Sequence, residues 1–170
     1  MAGHATKPED LPDCRGKRFA IVSAQFYADL AAWLEDGAKR ALRDCNVREE
    51  DISVYAVPGC YELPLAASRL IASGTVDAVV VLGAVIRGAT PHFDFVAGEC
   101  ARGIMDVQLA TGVPIGFGVL TTNNRHQADE RADPSRGDKG YDAAIAAVSL
   151  LQIPKTEGPL PIGFRANQAP

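Results

Sequence analysis

The run VDAVVVL at 76–82 passes without a break into GAVIRGATPH at 83–92. Its first half is apolar apart from Asp77 and rich in β-branched valine. Such a run lacks the in–out alternation of a half-exposed strand, and it predicts a strand buried on both faces of a parallel sheet. The second half opens on a glycine and reaches Pro91, a residue tolerated at the first position of a helix. From Pro91 to Thr111 the pattern is helical, and Gly112 supplies the stop. A buried strand feeding a helix through a short loop is half of a βαβ unit, so the fold turns on whether the pattern recurs.

It recurs on both sides. Upstream, Arg18–Ala24 (RFAIVSA) predicts a buried strand, and Ala28–Cys45 carries Leu30, Leu34, Ala38, Ala41 and Leu42 at helical spacing. Asp51–Val57 (DISVYAV) alternates as a strand does, and Tyr61–Ser73 predicts a helix with Pro64 in its first turn. Downstream, Val113–Leu120 (VPIGFGVL) predicts a fourth strand, and Asn124–Ala132 and Gly140–Leu151 two closing helices. The order βαβαβαβαα predicts a three-layer α/β/α sandwich with right-handed crossovers. Prolines, glycines and charges at 1–17 and 154–170 predict an N-terminal arm, partly flexible, and a Pro-rich C-terminal tail, leaving one domain over 18–153.

Composition narrows the function. The chain has 170 residues, 47% hydrophobic and 22% charged, with net charge −4. That is one globular domain, large enough to need no disulfide or metal for its stability. No Lys/Arg-rich run marks a nucleic-acid surface. The N-terminus lacks the apolar core of a secretory signal, and no apolar run approaches the ~20 residues of a membrane span. Cys14, Cys45, Cys60 and Cys100 form no CxxC pair, and with only His4, His92 and His126 no zinc spacing arises. Free thiols in a reducing, cytoplasmic setting are expected. GxGxxG is absent; Gly83–Thr90 has Walker glycine spacing, but Ala89 stands where the lysine belongs.

In open α/β sheets ligands bind beyond the carboxyl ends of the strands. Gln25–Tyr27, Pro58–Pro64, Gly83–His92 and Thr121–Asn124 are expected there. Thr90 is a good N-cap and Pro91 a good first helical residue, so the helix start is either a plain cap or an anion site suited to phosphate. The helix dipole disfavours an imidazolium at His92, so a neutral, proton-accepting ring is expected, as either general acid/base or cap. Glu62 either stabilises a helix start or accepts hydrogen bonds from ligand hydroxyls. Phe26 either covers the sheet end or stacks on a flat heterocycle. Arg131 and Lys139 flank the polar stretch Asp133–Asp138 and read from their surroundings as solvated surface. His4 and His126 are assigned no role.

VPGCYELP at 57–64, GAVIRGATPHFDFV at 83–96, TGVPIGFGVLTT at 111–122 and GDKG at 137–140, in that order, resemble the hallmark stretches of the lumazine synthases. The resemblance runs from about Arg18 to Leu151. It implies a flavodoxin-like four-stranded parallel sheet and a homopentamer with an active site at each subunit junction. It implies that Phe26 stacks on a pyrimidine, that Cys60, Tyr61 and Glu62 line the ribityl pocket, and that Val85 and Ile86 hold the ring edge. Ala89 and Thr90 would cradle a phosphate and His92 move protons. The neighbouring subunit would supply Phe117, Arg131 and Lys139, with Arg131 on the phosphate. Gln25 and Tyr27 depart from the family, where Arg or a small residue often precedes the aromatic and Asn or His follows it. The short Arg131–Gly140 connection resembles that of relatives that close into 60-subunit icosahedral shells.

The implied reaction joins 5-amino-6-(D-ribitylamino)uracil to 3,4-dihydroxy-2-butanone 4-phosphate, the penultimate step of riboflavin biosynthesis, without a cofactor. Two rival functions fit parts of the same pattern. A non-catalytic flavin- or lumazine-binding protein on the same scaffold would not need both His92 and Arg131. A Schiff-base lyase using Lys139 would need an apolar pocket around that amine, whereas its neighbours in sequence are Arg136, Asp138 and Gly140.

Overall fold

The computed structural model describes residues 11–154. The outer part of the N-terminal arm, 1–10, and the Pro-rich tail from 155 lie outside the described residues. Strands β1 (Phe19–Ala24), β2 (Ile52–Val57), β3 (Ala78–Ile86) and β4 (Ile115–Thr122) form one parallel sheet in the order β2-β1-β3-β4. The helices are α1 (Ala28–Asp44), α2 (Leu63–Ala72), α3 (His92–Thr111), α4 (Arg125–Ala132) and α5 (Lys139–Leu151).

Alternation along the strands divides the core in two. Phe19, Ile21, Val80 and Leu82 face α1, α4 and α5, while Ala20, Val22, Val79 and Val81 face α2 and α3. This is the expected three-layer sandwich. β1 is wholly buried, whereas β2, at the sheet edge, leaves Val54 and Tyr55 exposed. Leu11–Lys17 lies against the body: Cys14 is buried and its backbone N–H donates to the Cys45 carbonyl at 2.8 Å. Among the described residues no helix is long and apolar enough to cross a membrane.

Four local expectations are corrected. Gly83–Ile86 is strand, not loop; it continues β3 in register with Val119–Thr122. Ala84-Val85-Ile86 suits a pleated backbone, and β4 runs on to Thr122 and supplies the ladder partners. Gly83 marks a close approach: a Cβ there would lie 2.6 Å from the Cys60 sulfur and 2.9 Å from the Ala24 Cβ. Second, β4 begins at Ile115 because Pro114, just before it, has no N–H for the ladder. Third, α3 begins at His92 with Pro91 in the cap position, and no side chain caps it, so Thr90 is not the N-cap. Fourth, the predicted Tyr61–Ser73 helix divides into a 3-10 turn, Cys60–Glu62, and α2, with Pro64 in its first turn.

Candidate active site

The sheet order reverses at β1 and β3, and the crevice that ligands use in such sheets opens there. A cleft of about 620 Å³ occupies it. β1 delivers Phe26 and Tyr27 on the turn into α1, and β2 delivers Pro58–Glu62 on the turn into α2. β3 lends Ala84–Ile86, and the loop into α3 lends Gly88, Thr90 and His92. The β1–β3 ladder stops at Ser23 and Leu82, while β3 stays paired with β4 as far as Ile86. The β1-side edge of Gly83–Ile86 therefore opens backbone groups to the cleft, as a flat ring edge requires.

The side chains take different positions within it. Phe26 is 74% exposed and Tyr61 is also exposed, apolar surface set at the cleft. Glu62 Oε2 accepts the Gly59 N–H at 3.0 Å, so the carboxylate does steady its own turn. Its Oε1 has no hydrogen-bond partner among the described residues. His92 is exposed and makes no side-chain hydrogen bond among the described residues, so it does not cap its own turn. Burial, with Cys100 close by, pushes the Cys60 thiol up to about 12. It stays protonated near neutral pH and offers shape rather than a nucleophile. Ala89 is exposed between Gly88 and Thr90 and does not line the cleft.

Among the described residues no lysine or arginine lines this cleft. Arg87 lies in the neighbouring loop but is already engaged. It pairs bidentately with Asp94 at 2.7 and 3.1 Å and sits 4.1 Å over the Phe93 ring. That contact holds the Asp94 carboxyl below the usual carboxylate range.

Phe117, Arg131 and Lys139 lie in a second depression of about 400 Å³, which shares no lining residue with the first. Glycines shape it. A Cβ on Gly137 would sit 2.6 Å from the Glu130 carbonyl oxygen and 2.7 Å from the Arg131 Cα. A Cβ on Gly140 would fall on the Leu34 carbonyl of α1. Asp138, in left-handed backbone at φ 45, is gripped by Arg40 through two 2.9 Å hydrogen bonds. Lys139 is ion-paired with Asp142 at 2.6 Å, which is not the apolar setting of a Schiff-base lysine. Arg131 donates to the Gln127 carbonyl of its own helix and meets no carboxylate among the described residues.

Of the four segments expected at the strand ends, three converge and Thr121–Asn124 does not. Thr121 lines the second depression, and the Asn124 side chain caps α4 by accepting from the Gln127 N–H at 2.9 Å. Tyr27, inside the expected Gln25–Tyr27 segment, lines the first cleft, as do Phe93, Phe95 and Val96, which the sequence alone does not place in its walls. The aromatic spacing in HFDFV at 92–96 was the available signal.

The family model described as 6,7-dimethyl-8-ribityllumazine synthase matches residues 16–155. The chain is 48% identical over 139 residues to the 6,7-dimethyl-8-ribityllumazine synthase of Syntrophus aciditrophicus, spanning 82% of this chain and 90% of that relative. It is 46% identical over 136 residues to the protein of the same name from Chlorobium phaeovibrioides, spanning 80% and 88%. The family-model match runs through the sheet, both depressions and every helix, and with these relatives it shows that the chain belongs to the 6,7-dimethyl-8-ribityllumazine synthase family.

Proposed function

We propose that this enzyme condenses 5-amino-6-(D-ribitylamino)uracil with 3,4-dihydroxy-2-butanone 4-phosphate, giving 6,7-dimethyl-8-ribityllumazine, phosphate and water. The observation that carries the reading is the division of the site. One cleft has an exposed aromatic, an open strand edge, a carboxylate and a histidine at a helix start; a separate depression has Arg131, which meets no carboxylate among the described residues.

In this reading Phe26 stacks on the pyrimidine, and the backbone of Val85 and Ile86 meets its edge. Cys60, Tyr61 and Glu62 receive the ribityl chain, Glu62 through its free oxygen. The phosphate sits on the Ala89–Thr90 loop, Ala89 acting through its backbone, where the first-turn amides of α3 and the helix dipole favour an anion. Arg131 of a neighbouring copy supplies the fork that suits phosphate, with Phe117 and Lys139 beside it.

The substrate brings its own nucleophile. Its amine attacks the ketone and water leaves to give an imine; phosphate is eliminated, and the ribityl-bearing nitrogen attacks the resulting carbonyl and closes the ring with loss of a second water. The protein holds the reactants together, an effect worth about 7–11 kcal/mol for well-aligned partners. His92 moves the protons. No cofactor is assigned a step.

A homopentamer completes the site, because a head-to-tail ring brings each first cleft to the same second depression. Closure into a 60-subunit shell extends the reading, on the short Arg131–Gly140 connection. The four free, buried cysteines support a cytoplasmic setting. A coupled assay with both substrates, read by lumazine absorbance, tests the reaction; riboflavin binding without turnover would replace it with a binding protein. With a chain of 18.0 kDa, light scattering separates a pentamer of about 90 kDa from a shell near one megadalton.

A further inference from the structure

Gln25 and Tyr27 take no part in the steps above, yet they flank the most exposed aromatic of the cleft. A ring as exposed as Phe26 samples several rotamers when nothing holds it, and a ligand stacking on it must first immobilise it. Here both sides of the residue are held. The Gln25 backbone N–H donates to the Val57 carbonyl at 2.9 Å, one step past the last β1–β2 pair. Its side-chain Nε2 donates to the Ser23 hydroxyl at 3.1 Å and to Glu35 Oε1 of α1 at 3.0 Å. An amide nitrogen has two hydrogens, so this donor is saturated. Ser23 is fully buried, which makes the anchor a fixed point.

On the other side, the Tyr27 carbonyl accepts the Ala31 N–H at 2.9 Å and ties the residue to the first turn of α1. Its ring meets Phe26 edge to face, with centroids 5.0 Å apart and planes at 74°. Tyr27 also lines the cleft itself. An edge-to-face pair leaves an aromatic face open to a flat ligand while restricting the ring that presents it.

We propose that Gln25 and Tyr27 are positioning residues for ring binding: the Ser23–Gln25–Glu35 clamp fixes the backbone of Phe26, and the Tyr27 ring fixes its side chain. The proposal rests on Phe26 being the stacking platform for the pyrimidine. It makes these two residues determinants of affinity for the aromatic substrate alone.

The test is steady-state kinetics with both substrates, and fluorescence titration with the lumazine product, on five variants of the full chain. Tyr27→Leu and Gln25→Ala should each raise the KM for the pyrimidine about 3–10-fold, with kcat and the KM for the keto-phosphate unmoved. Glu35→Leu, which frees the amide from outside the loop, should act in the same direction. Tyr27→Phe, which keeps the ring, should retain most of the affinity. Phe26→Ala should exceed them all. If Phe26→Ala weakens the pyrimidine while the flanking variants do not, the clamp is wrong and the stacking role stands. If Phe26→Ala has no effect, the stacking role falls and the clamp falls with it. Equal rises in both KM values, or a lowered kcat, would make the flanking residues general supports of the fold and overturn the proposal.

Discussion

The two depressions differ in the chemistry they hold. The cleft at the ends of β1 and β3 is aromatic and opens strand backbone, but among the described residues no cation lines it. The depression between β4 and α5 is smaller and holds Arg131 and Lys139, but of the residues assigned to the heterocycle only Phe117 and Lys139 lie there. A keto-phosphate meeting the first cleft alone would have helix-start amides and no formal positive charge. A pyrimidine meeting the second alone would have no acid/base group of the His92 kind. The contrast teaches that neither depression alone holds both chemistries, which is what the proposed head-to-tail contact between copies would unite.

That comparison breaks most visibly at His92. His92→Ala should lower kcat about 10²-fold, the usual size of a general acid/base contribution, with pyrimidine affinity nearly intact. A variant that turns over normally but binds poorly would make His92 a structural residue of the first cleft. Arg131→Ala probes the opposite half. It should raise the KM for the keto-phosphate about tenfold or more, the size expected for charge-assisted hydrogen bonds, and leave that for the pyrimidine nearly unchanged. Equal shifts in both would place the arginine elsewhere.

Mixing the two variants sharpens the comparison. His92→Ala and Arg131→Ala chains, unfolded and reassembled in equal amounts, should form rings in which about one junction in four joins two intact halves. Activity should recover to about a quarter of wild type. Mixed rings as inactive as their parents would put both residues in one subunit's site.

The smallest effect concerns the walls behind the clefts. Burial pushes the thiols of Cys45 and Cys100 up to about 11 and that of Cys60 to about 12. In the unfolded chain such thiols ionise near 9.0, so the unfolded state gives up these protons first as pH rises. Their contribution to stability is whole below that pH and is lost as pH climbs through 11 to 12. Denaturant midpoints in reducing buffer should fall between pH 8.5 and 10.5, by about the linkage expected for raised acids. Replacing Cys45 and Cys100 with alanine should flatten the fall, and an equal slope in that variant would assign it to other groups.

The parts legible in the sequence were those with local causes. VDAVVVL announced a strand buried on both sides because hydrophobic continuity is itself the signal, and helical spacing located α1 in the same way. The strand-end positions of Phe26, Glu62 and His92 followed from the α/β rule. The continuation of β3 through Ile86 was not legible from residues 83–86 alone. It depends on a partner about 35 residues further on, which keeps pairing where β1 has stopped.

Arg131 marks the same boundary from the side of function. From its neighbours it was one more surface cation, and only likeness to the family assigned it to phosphate. The sequence by itself determined the element order, the two apolar faces of the sheet and which side chains were candidates for the site, since periodicity and side-chain chemistry are local properties. Tertiary structure decided which groups share a cleft: it joined Phe26, Glu62 and His92 and set Arg131 with Lys139 in a separate depression. The physical reason is that proximity in a parallel sheet is set by strand order. The crossover from β2 past β1 to β3 creates the crevice, and that crossover is a property of the packed sheet and not of any one segment.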